Sequence, residues 1–222
     1  MTQASPAPTF TPPPRDCARC PRLAGFIGEQ RAKFPDWHNA PVPSFGALSS
    51  RLLIVGLAPG LRGANRTGRP FTGDYAGDLL YATLREFGLA RGDYGARPDD
   101  GLELVDCRIA NAVRCVPPEN KPTPAEFNQC RPFLREEIAA MPNLRVVVAL
   151  GLGAHQQTLR TLDVKPVSAF PFGHARIHAL PDGKLLADSY HCSRYNTNTG
   201  RLTTEMFRAV FTGVVARLRD AG

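Results

Sequence analysis

Runs of apolar residues alternate along the chain with segments of helical periodicity. Residues 51–57 (RLLIVGL) and 144–151 (LRVVVALG) are almost continuously apolar and are followed by glycine-containing loops. This pattern predicts strands that are buried on both faces, as in a parallel sheet. A further strand is expected within 102–113 (LELVDCRIANAV), and two short strands are expected at 175–180 and 184–189 around a Pro-Asp-Gly turn.

Helical periodicity appears between these strands and near both ends of the chain. Apolar residues on one face predict a helix that begins at Asp74 or Gly77, another that follows residue 151, and a final helix over 204–219. A weaker pattern predicts a helix soon after Pro21. Strands that alternate with helices indicate an α/β protein with a mostly parallel sheet covered on both faces.

One more helix, over 123–140, is bounded by clear signals. Thr123 and Glu126 occupy the N-cap and N3 positions of a capping box. Pro132 lies inside this helix and should kink or divide it, because proline lacks an amide hydrogen and clashes with the preceding turn. Residues 34–50, by contrast, contain too many turn-forming residues for a regular element.

Composition limits the class of protein. The 222 residues, 43% of them hydrophobic and 21% charged, are typical of a globular protein. The proline-rich start predicts a disordered tail at 1–15, followed by a single domain at 16–222. The N-terminus lacks the features of a secretory signal, and no apolar run is long enough for a membrane helix. We therefore expect a cytoplasmic protein with no membrane partner.

The net charge of +7 favours an anionic partner. Nucleic acid is the commonest partner of a strongly basic domain, although a basic surface alone also occurs in proteins that bind none.

Four of the six cysteines form two pairs. Cys17 and Cys20 make a C-x-x-C motif, and Cys115 and Cys130 form a wider pair far along the chain. In a chain without an export signal, clustered cysteines are more often metal ligands than disulfides. Four thiolates would complete a site for zinc or for an iron–sulfur cluster, and the spacing does not choose between them. Alternatively, the motif is a chance match and all six thiols are free.

Polar residues gather in three loops that each follow a predicted strand, at 58–74, 111–118 and 190–199. The carboxyl ends of parallel strands meet at one edge of an open α/β sheet, and ligands bind there. We therefore expect these loops to form one site.

Each loop contributes one candidate residue with two interpretations. Asp74 is either a helix N-cap or a general base or electrostatic group. Asn111, polar within an apolar strand, either ties down a loop or reads the donor and acceptor edge of a ligand. His191 is either structural or catalytic.

Three stretches carry a family resemblance, together with the start CARCPRL. They are GLAPGLRGANRTGRPFTGDYAGDLL, IANAVRCVPPENKPTPAEFNQCRPF and DSYHCSRYNTNTGRLTTEMF, and they extend over nearly the whole chain. The chain resembles the uracil-DNA glycosylase superfamily, and within it the iron–sulfur type b branch, or family 5. The resemblance implies a three-layer α/β/α sandwich around a short central, mostly parallel sheet.

The resemblance also implies an activity. We expect a monofunctional DNA repair glycosylase that hydrolyses the N-glycosidic bond of uracil in double-stranded DNA and leaves an abasic site. Related deaminated bases such as hypoxanthine are further expected substrates. The expected partner is duplex DNA with a damaged or mismatched base, bound by a monomer at the nucleoid of a prokaryotic cell.

Site residues follow from the same resemblance. Asp74 becomes the catalytic carboxylate, Asn111 the reader of the base and His191 the group that stabilises charge on the departing base. The expected substrate contacts are Gly56, Ala58, Asn65 and Phe71, with Phe71 stacked on the flipped base. The expected DNA contacts are Arg66, Arg69, Ser193 and Arg194. A structural [4Fe-4S] cluster is expected on Cys17, Cys20, Cys115 and Cys130, with zinc as the alternative.

Some positions separate this chain from its family. The type a branch has an acidic residue where this chain has Leu57 and Ala58, so the first motif matches type b. Cys192 and Tyr195 stand where type b members have proline and glutamine.

Two other functions fit parts of the sequence. One is a non-catalytic nucleic-acid-binding protein whose fold is stabilised by a bound zinc ion, and the other is a nucleoside or nucleotide hydrolase with the same fold. The polar first and third motifs favour the glycosylase over both.

Overall fold

The structure is a computed structural model that describes residues 10–220. Residues 1–9, most of the predicted tail, lie outside the described residues. Residues 10–15 form neither helix nor strand, and Phe10 packs against an apolar cluster that includes Leu23 and Phe133.

A five-stranded sheet forms the centre of the molecule, beside a separate two-stranded ribbon. The strands are β1 (Leu52–Gly56), β2 (Ala90–Arg91), β3 (Glu103–Leu104), β4 (Cys107–Asn111), β5 (Val146–Leu150), β6 (Ile177–Ala179) and β7 (Leu185–Ser189). The central sheet has the order β4-β1-β5-β7-β6, and all pairs are parallel except β6 with β7. The ribbon pairs β2 with β3.

Helices cover both faces of this sheet. They are α1 (Pro21–Lys33), α2 (Ala64–Thr67), α3 (Tyr75–Glu86), α4 (Pro124–Ala139), α5 (Leu152–Thr161), α6 (Arg194–Asn198) and α7 (Thr204–Asp220). No helix within residues 10–220 is long and apolar enough to cross a membrane.

The side chains of β1 show why the sheet has three layers. Leu52 and Ile54 join the apolar cluster formed with α3 and α7, whereas Leu53 and Val55 join the cluster formed with α4 and α5. Alternate residues of a strand point to opposite faces, so a strand that is apolar throughout needs a cover on each side. The predicted α/β fold with a mostly parallel, covered sheet is confirmed.

Two details of the predicted elements are wrong. Pro132 does not divide α4, which runs unbroken through it; the carbonyl that loses its partner belongs to the solvent-exposed Asn128, where water can replace the bond. The stretch 102–113 is two strands rather than one, because Asp106 turns the chain with a φ of 50°. Its carboxylate accepts hydrogen bonds from the Arg51 amide (2.7 Å) and Nε (2.6 Å).

Strand register brings the loops together. Gly56 at the end of β1 lies opposite Asn111 at the end of β4, and Leu150 at the end of β5 lies opposite Ser189 at the end of β7. The loops at 58–74, 111–118 and 190–199 therefore leave from one edge of the sheet.

Candidate active site

A cavity of about 600 Å³ opens at the carboxyl edge of the sheet. All three predicted loops contribute to it, as expected from the positions of the strand ends. Its walls include Ala58, Phe71 and Asp74 from the first loop, Asn111 and Asn120 from β4 and the segment after it, and His191, Ser193 and Arg194 from the third loop.

Asp74 caps a helix, as one of its two interpretations predicted, and its side chain also lies at the cavity. It is the N-cap of α3, where its carboxylate accepts a hydrogen bond from the Gly77 amide (3.3 Å), and it also lines the cavity. Burial raises the pKa of Asp74, although the Gly77 and Ala76 amides act in the opposite direction. Gly63 makes room for this side chain, since a Cβ there would lie 2.3 Å from Asp74 Oδ2.

Asn111 brings a buried amide to the floor of the cavity. Its Oδ1 has no hydrogen-bond partner among the described residues. Gly56 lies directly against it, because an added Cβ would be 2.4 Å from that oxygen. A buried acceptor without a partner is rare in proteins, and the residue that carries this one lines the cavity.

His191 supplies a neutral imidazole. Burial lowers its pKa to about 4, so the ring carries no charge at pH 7. The backbone on both sides is fixed, because Asn196 Nδ2 donates to the His191 carbonyl (2.8 Å) and the Tyr190 amide donates to His174 Nδ1 (3.1 Å). A neutral imidazole still has one N–H group, which can donate to a substrate oxygen.

Phe71 forms an aromatic wall in an uncommon backbone conformation. Its φ is 51°, a region that bulky residues seldom adopt and that occurs at functional sites. The Tyr94 hydroxyl donates to its carbonyl (3.2 Å), and Gly77 packs against the same oxygen, where an added Cβ would be at 1.8 Å. The ring centroid lies 6.0 Å from that of His191.

Asn65 and Arg69 do not face the cavity. Asn65 is fully buried, and its Nδ2 donates to Asn39 Oδ1 (2.9 Å). Arg69 is buried in a bidentate ion pair with Asp100 (2.8 and 2.7 Å). Their positions make them supports of the first loop, in contrast to the substrate and DNA contacts expected from the sequence.

Arg66 is exposed on α2, outside the active-site cavity. It lines a shallow surface depression together with Trp37 and Arg97.

Three residues with polar side chains line the cavity and were not among the predicted site residues: Arg62, Tyr75 and Asn120. Tyr75 is 36% exposed, and the Arg194 guanidinium lies 5.4 Å from the centre of its ring. Asn120 reaches the cavity because its φ of 58° reverses the chain after the loop of Cys115. The signal available in the sequence was the position of these residues within the polar motifs.

Cys192 lies beneath the site and does not line it. Its thiol is fully buried and donates to the Ala76 carbonyl (3.4 Å). Burial and the nearby Asp74 carboxylate raise the pKa of Cys192 to about 12, which keeps the thiol protonated. The residue therefore joins the third loop to the start of α3.

The four predicted cysteine ligands meet in a separate pocket. Cys17 and Cys20 precede α1, Cys115 follows β4, and Cys130 lies in α4; all four line the same cavity and none is in a disulfide. The Arg114 amide donates to Cys130 Sγ (3.3 Å). Burial and the neighbouring thiols raise the pKa of Cys20 to about 11, and burial raises that of Cys130. Four clustered thiols, two of them buried and two partly buried, suit a bound metal centre, whose positive charge favours thiolates.

The spacing of these sulfur atoms can be compared with what zinc and iron–sulfur centres require. No three of the cysteine sulfurs, all of which are described, lie within 4.8 Å of one another. Around a single zinc ion, Zn–S bonds of about 2.3 Å hold four sulfurs about 3.8 Å apart. The wider arrangement fits an iron–sulfur cluster, in which each thiolate binds a different iron atom.

One tight group of potential metal ligands occurs elsewhere in residues 10–220, formed by His155, His178 and Asp188. Both ring nitrogens of His155 already contact oxygen atoms, Asp188 Oδ1 (2.7 Å) and the Phe170 carbonyl (2.8 Å). The group therefore connects α5 and the segment around Phe170 to β7, the strand that precedes His191.

Comparison with known proteins decides the family. A family model described as the uracil DNA glycosylase superfamily matches residues 43–214. The chain belongs to this superfamily. Uracil DNA glycosylase superfamily members that resemble it include the type-5 uracil-DNA glycosylase of Thermus thermophilus, 46% identical over 200 residues, which are 87% of this chain and 90% of that protein. The type-5 uracil-DNA glycosylase of Pyrobaculum aerophilum is 39% identical over 211 residues, 93% of this chain and 90% of that protein.

Similarity also extends to another branch of the superfamily. The type-4 uracil-DNA glycosylase of Thermotoga maritima is 41% identical over 110 residues, 49% of each chain. The match to the type-5 proteins covers most of each chain, and this type-4 match covers half. The resemblance inferred from the sequence motifs is confirmed.

Proposed function

We propose that this protein is a DNA glycosylase that hydrolyses the N-glycosidic bond of uracil in double-stranded DNA and leaves an abasic site. The observation that carries the proposal is the convergence of three groups on one cavity. Asp74, Asn111 and His191 provide a carboxylate, a buried amide and a neutral imidazole at the carboxyl edge of the sheet. Type-5 uracil-DNA glycosylases are similar over most of the chain, which agrees with this function.

Asp74 acts on the sugar. Breaking the N-glycosidic bond develops positive charge on the sugar and negative charge on the departing base. A fixed carboxylate stabilises the positive charge and orients the attacking water in a cavity where bulk water is scarce. The Gly77 amide fixes one carboxylate oxygen, and the other lies against Gly60 and Gly63, on the cavity side.

Asn111 selects the base. Its unpartnered Oδ1 accepts from the N3–H of uracil, and its Nδ2–H₂ donates to the O4 carbonyl. Cytosine has an acceptor at N3 and an amino group at C4, so both contacts become repulsive. A site that leaves buried polar groups unpaired rejects the wrong ligand strongly.

His191 acts on the leaving group. Its neutral imidazole donates one hydrogen bond to an oxygen of the departing base, where negative charge accumulates. Phe71, 6.0 Å away between ring centroids, packs against the plane of the base.

The rim of the cavity contacts DNA. Among the four exposed large hydrophobic residues of the described chain, three lie at this edge: Tyr75, Leu152 and Tyr195, the last with 73% of its surface exposed. Beside them, Ser193 and Arg194 offer a hydroxyl and a cation, and Arg66 adds a second cation in the separate depression that it forms with Trp37 and Arg97. We assign two roles to these residues. The polar and cationic side chains contact backbone phosphates, and the exposed apolar side chains press on the duplex while the base flips out. Base flipping costs the least free energy at a mismatched pair.

The cysteine pocket holds a structural [4Fe-4S] cluster on Cys17, Cys20, Cys115 and Cys130. When bound, the cluster supplies a cross-link between α1, the loop after β4 and α4. The spread of the sulfur atoms supports this choice over zinc. Arg22 strengthens the same junction through its ion pair with Glu126 (2.8 Å).

We further propose that a monomer acts on the DNA of a prokaryotic cell, and that hypoxanthine is a second substrate.

The proposed function is tested with a panel of substrates. Purified protein is incubated with duplexes that contain U·G, U·A or hypoxanthine·T, with single-stranded uracil DNA and with free deoxyuridine. We expect excision from the U·G duplex above all. Cleavage of free deoxyuridine without cleavage of DNA would instead support a nucleoside hydrolase, and binding without any product would support a non-catalytic protein.

A further inference from the structure

A second cavity lies beside the active site and shares two of its walls. Its volume is about 690 Å³, and Leu57 and Asn120 line both cavities. Its other walls come from the start of α4 and from α5. We call this cavity the α4–α5 groove. None of the three groups assigned to the chemistry lies in it.

The lining of the groove is cationic. Lys121, Arg131 and Arg160 contribute three positive charges, and no carboxylate is among its lining residues. Glu119 pairs with the exposed end of Lys121 (3.1 Å), so Lys121 is partly neutralised, and Asp163 pairs with Arg135 outside the groove lining. Burial and the charges of Arg160 and Arg135 lower the pKa of Arg131, as expected from repulsion between neighbouring cations, while Asp163 acts in the opposite direction. A bound anion relieves that repulsion.

Donors without partners also line the groove. Arg131 donates through Nη2 to Gln157 Oε1 (3.1 Å), but its buried Nε has no partner in the part of the chain that the structure describes. The N-cap of α5, Gly151, provides no side-chain cap, and Gly153 of its first turn lines the groove. Amides in the first turn of an uncapped helix favour anions. The start of α4 differs, because the capping box of Thr123 and Glu126 already provides hydrogen-bond acceptors for its free backbone amides.

We propose that the α4–α5 groove binds a backbone phosphate next to the flipped nucleotide, with Arg131 and Arg160 as the principal contacts. The proposal rests on the proposed function, because it requires a uracil nucleotide in the neighbouring cavity. Leu57 and Asn120 form the ledge between the two cavities, so a strand whose base enters the first cavity carries an adjacent phosphate towards the second. The guanidinium group of Arg131 is planar and has several N–H donors, which suits the oxygen atoms of a phosphate.

The test removes the charge of one phosphate at a time. Duplexes with a stable abasic analogue opposite guanine carry a neutral methylphosphonate at successive positions on either side, in one strand or the other. Dissociation constants are measured at several salt concentrations for the wild type, Arg160→Gln and the control Arg145→Gln. Arg160 and Arg145 are both exposed, but Arg145 lies just before β5, at the opposite edge of the sheet.

We expect one methylphosphonate position to weaken binding by the wild type and by Arg145→Gln, and to weaken binding by Arg160→Gln clearly less, because only Arg131 then remains to contact that phosphate. The salt slope of Arg160→Gln should also be smaller by about one phosphate contact. Sensitivity at a phosphate next to the abasic nucleotide in the damaged strand supports the proposal, whereas sensitivity confined to the complementary strand would overturn it. Equal sensitivity in wild type and Arg160→Gln, or no sensitive position at all, would overturn the proposal. Uracil excision by the same wild-type sample, measured separately, shows whether the proposed function itself holds.

Discussion

Burial determines the charge state of His191. A typical histidine titrates near pH 6.5, whereas burial brings the pKa of this one to about 4. The ring is therefore neutral throughout the physiological range and can stabilise an anionic leaving group only by donating a hydrogen bond. Asp74 differs, because burial raises its pKa and the carboxylate ionises at higher pH than usual. The loss of excision activity at acidic pH should consequently reflect protonation of Asp74.

The pH dependence of excision tests this assignment. Single-turnover rates between about pH 5 and pH 8 should rise to a plateau as Asp74 ionises, with no step from His191 near pH 6.5. His191→Ala should lower the plateau about 100-fold, the typical cost of one lost donor to a developing anion, and leave the midpoint of the acid limb unchanged. Disappearance of an ionisation near pH 6.5 in His191→Ala would show that the histidine titrates during the reaction, contrary to this account.

The end of β1 requires glycine for the sake of the site. Gly56 lies between Asn111 and Phe71, where an added Cβ would be 2.4 Å from Asn111 Oδ1 and 2.7 Å from the Phe71 ring. Gly56→Ala should displace both side chains and lower uracil excision at least tenfold, while overpacking costs about 1–3 kcal/mol of stability. Gly28→Ala in α1 is the matched control, because nothing lies within 4 Å of its added Cβ. Uracil excision and thermal melting are measured on both variants. Normal excision by Gly56→Ala would show that the site does not require glycine at this position.

Periodicity and capping predicted the main elements. The apolar runs at 51–57 and 144–151 became β1 and β5, and the capping box at Thr123 opens α4 as expected. Such signals are local, since a buried strand must be apolar on both faces and a helix start must satisfy its own amides. The convergence of three loops also followed from the strand ends alone.

Long-range pairing explains what the sequence did not predict. The family resemblance implied that Asn65 contacts the substrate and Arg69 contacts DNA, whereas both side chains are buried and outside the cavity lining. Each has its partner far along the chain, Asn39 at a separation of 26 residues and Asp100 at a separation of 31. The break at Asp106 likewise depends on Arg51, 55 residues away. A single sequence contains no periodic signal for contacts at such distances, so a buried ion pair and a ligand site look alike.

The cysteine pocket acts at the scale of the whole molecule, because its four residues come from three distant parts of the chain. Cys17→Ser should lose bound iron and visible absorbance, and lower stability by on the order of 3 kcal/mol, as expected when a long-range cross-link is lost. Cys107→Ala, in the core of β4 and outside the pocket, should keep the metal. Iron, sulfide and zinc contents and thermal melting are measured on each protein. A colourless wild type with one zinc ion per chain would contradict the cluster and support the zinc alternative.

The account as a whole depends on Asp74 as the carboxylate of a uracil-DNA glycosylase. The most direct measurement is single-turnover cleavage of a labelled U·G duplex, with alkali treatment of the products, by wild type, Asp74→Asn and Asp78→Asn. Asp78 lies in the first turn of the same helix but is exposed and outside the cavity, so it controls for the loss of a carboxylate at this helix start. We predict rapid cleavage by wild type and Asp78→Asn, and a loss of about 1000-fold or more in Asp74→Asn with DNA binding retained. Comparable cleavage by Asp74→Asn and wild type would contradict the account.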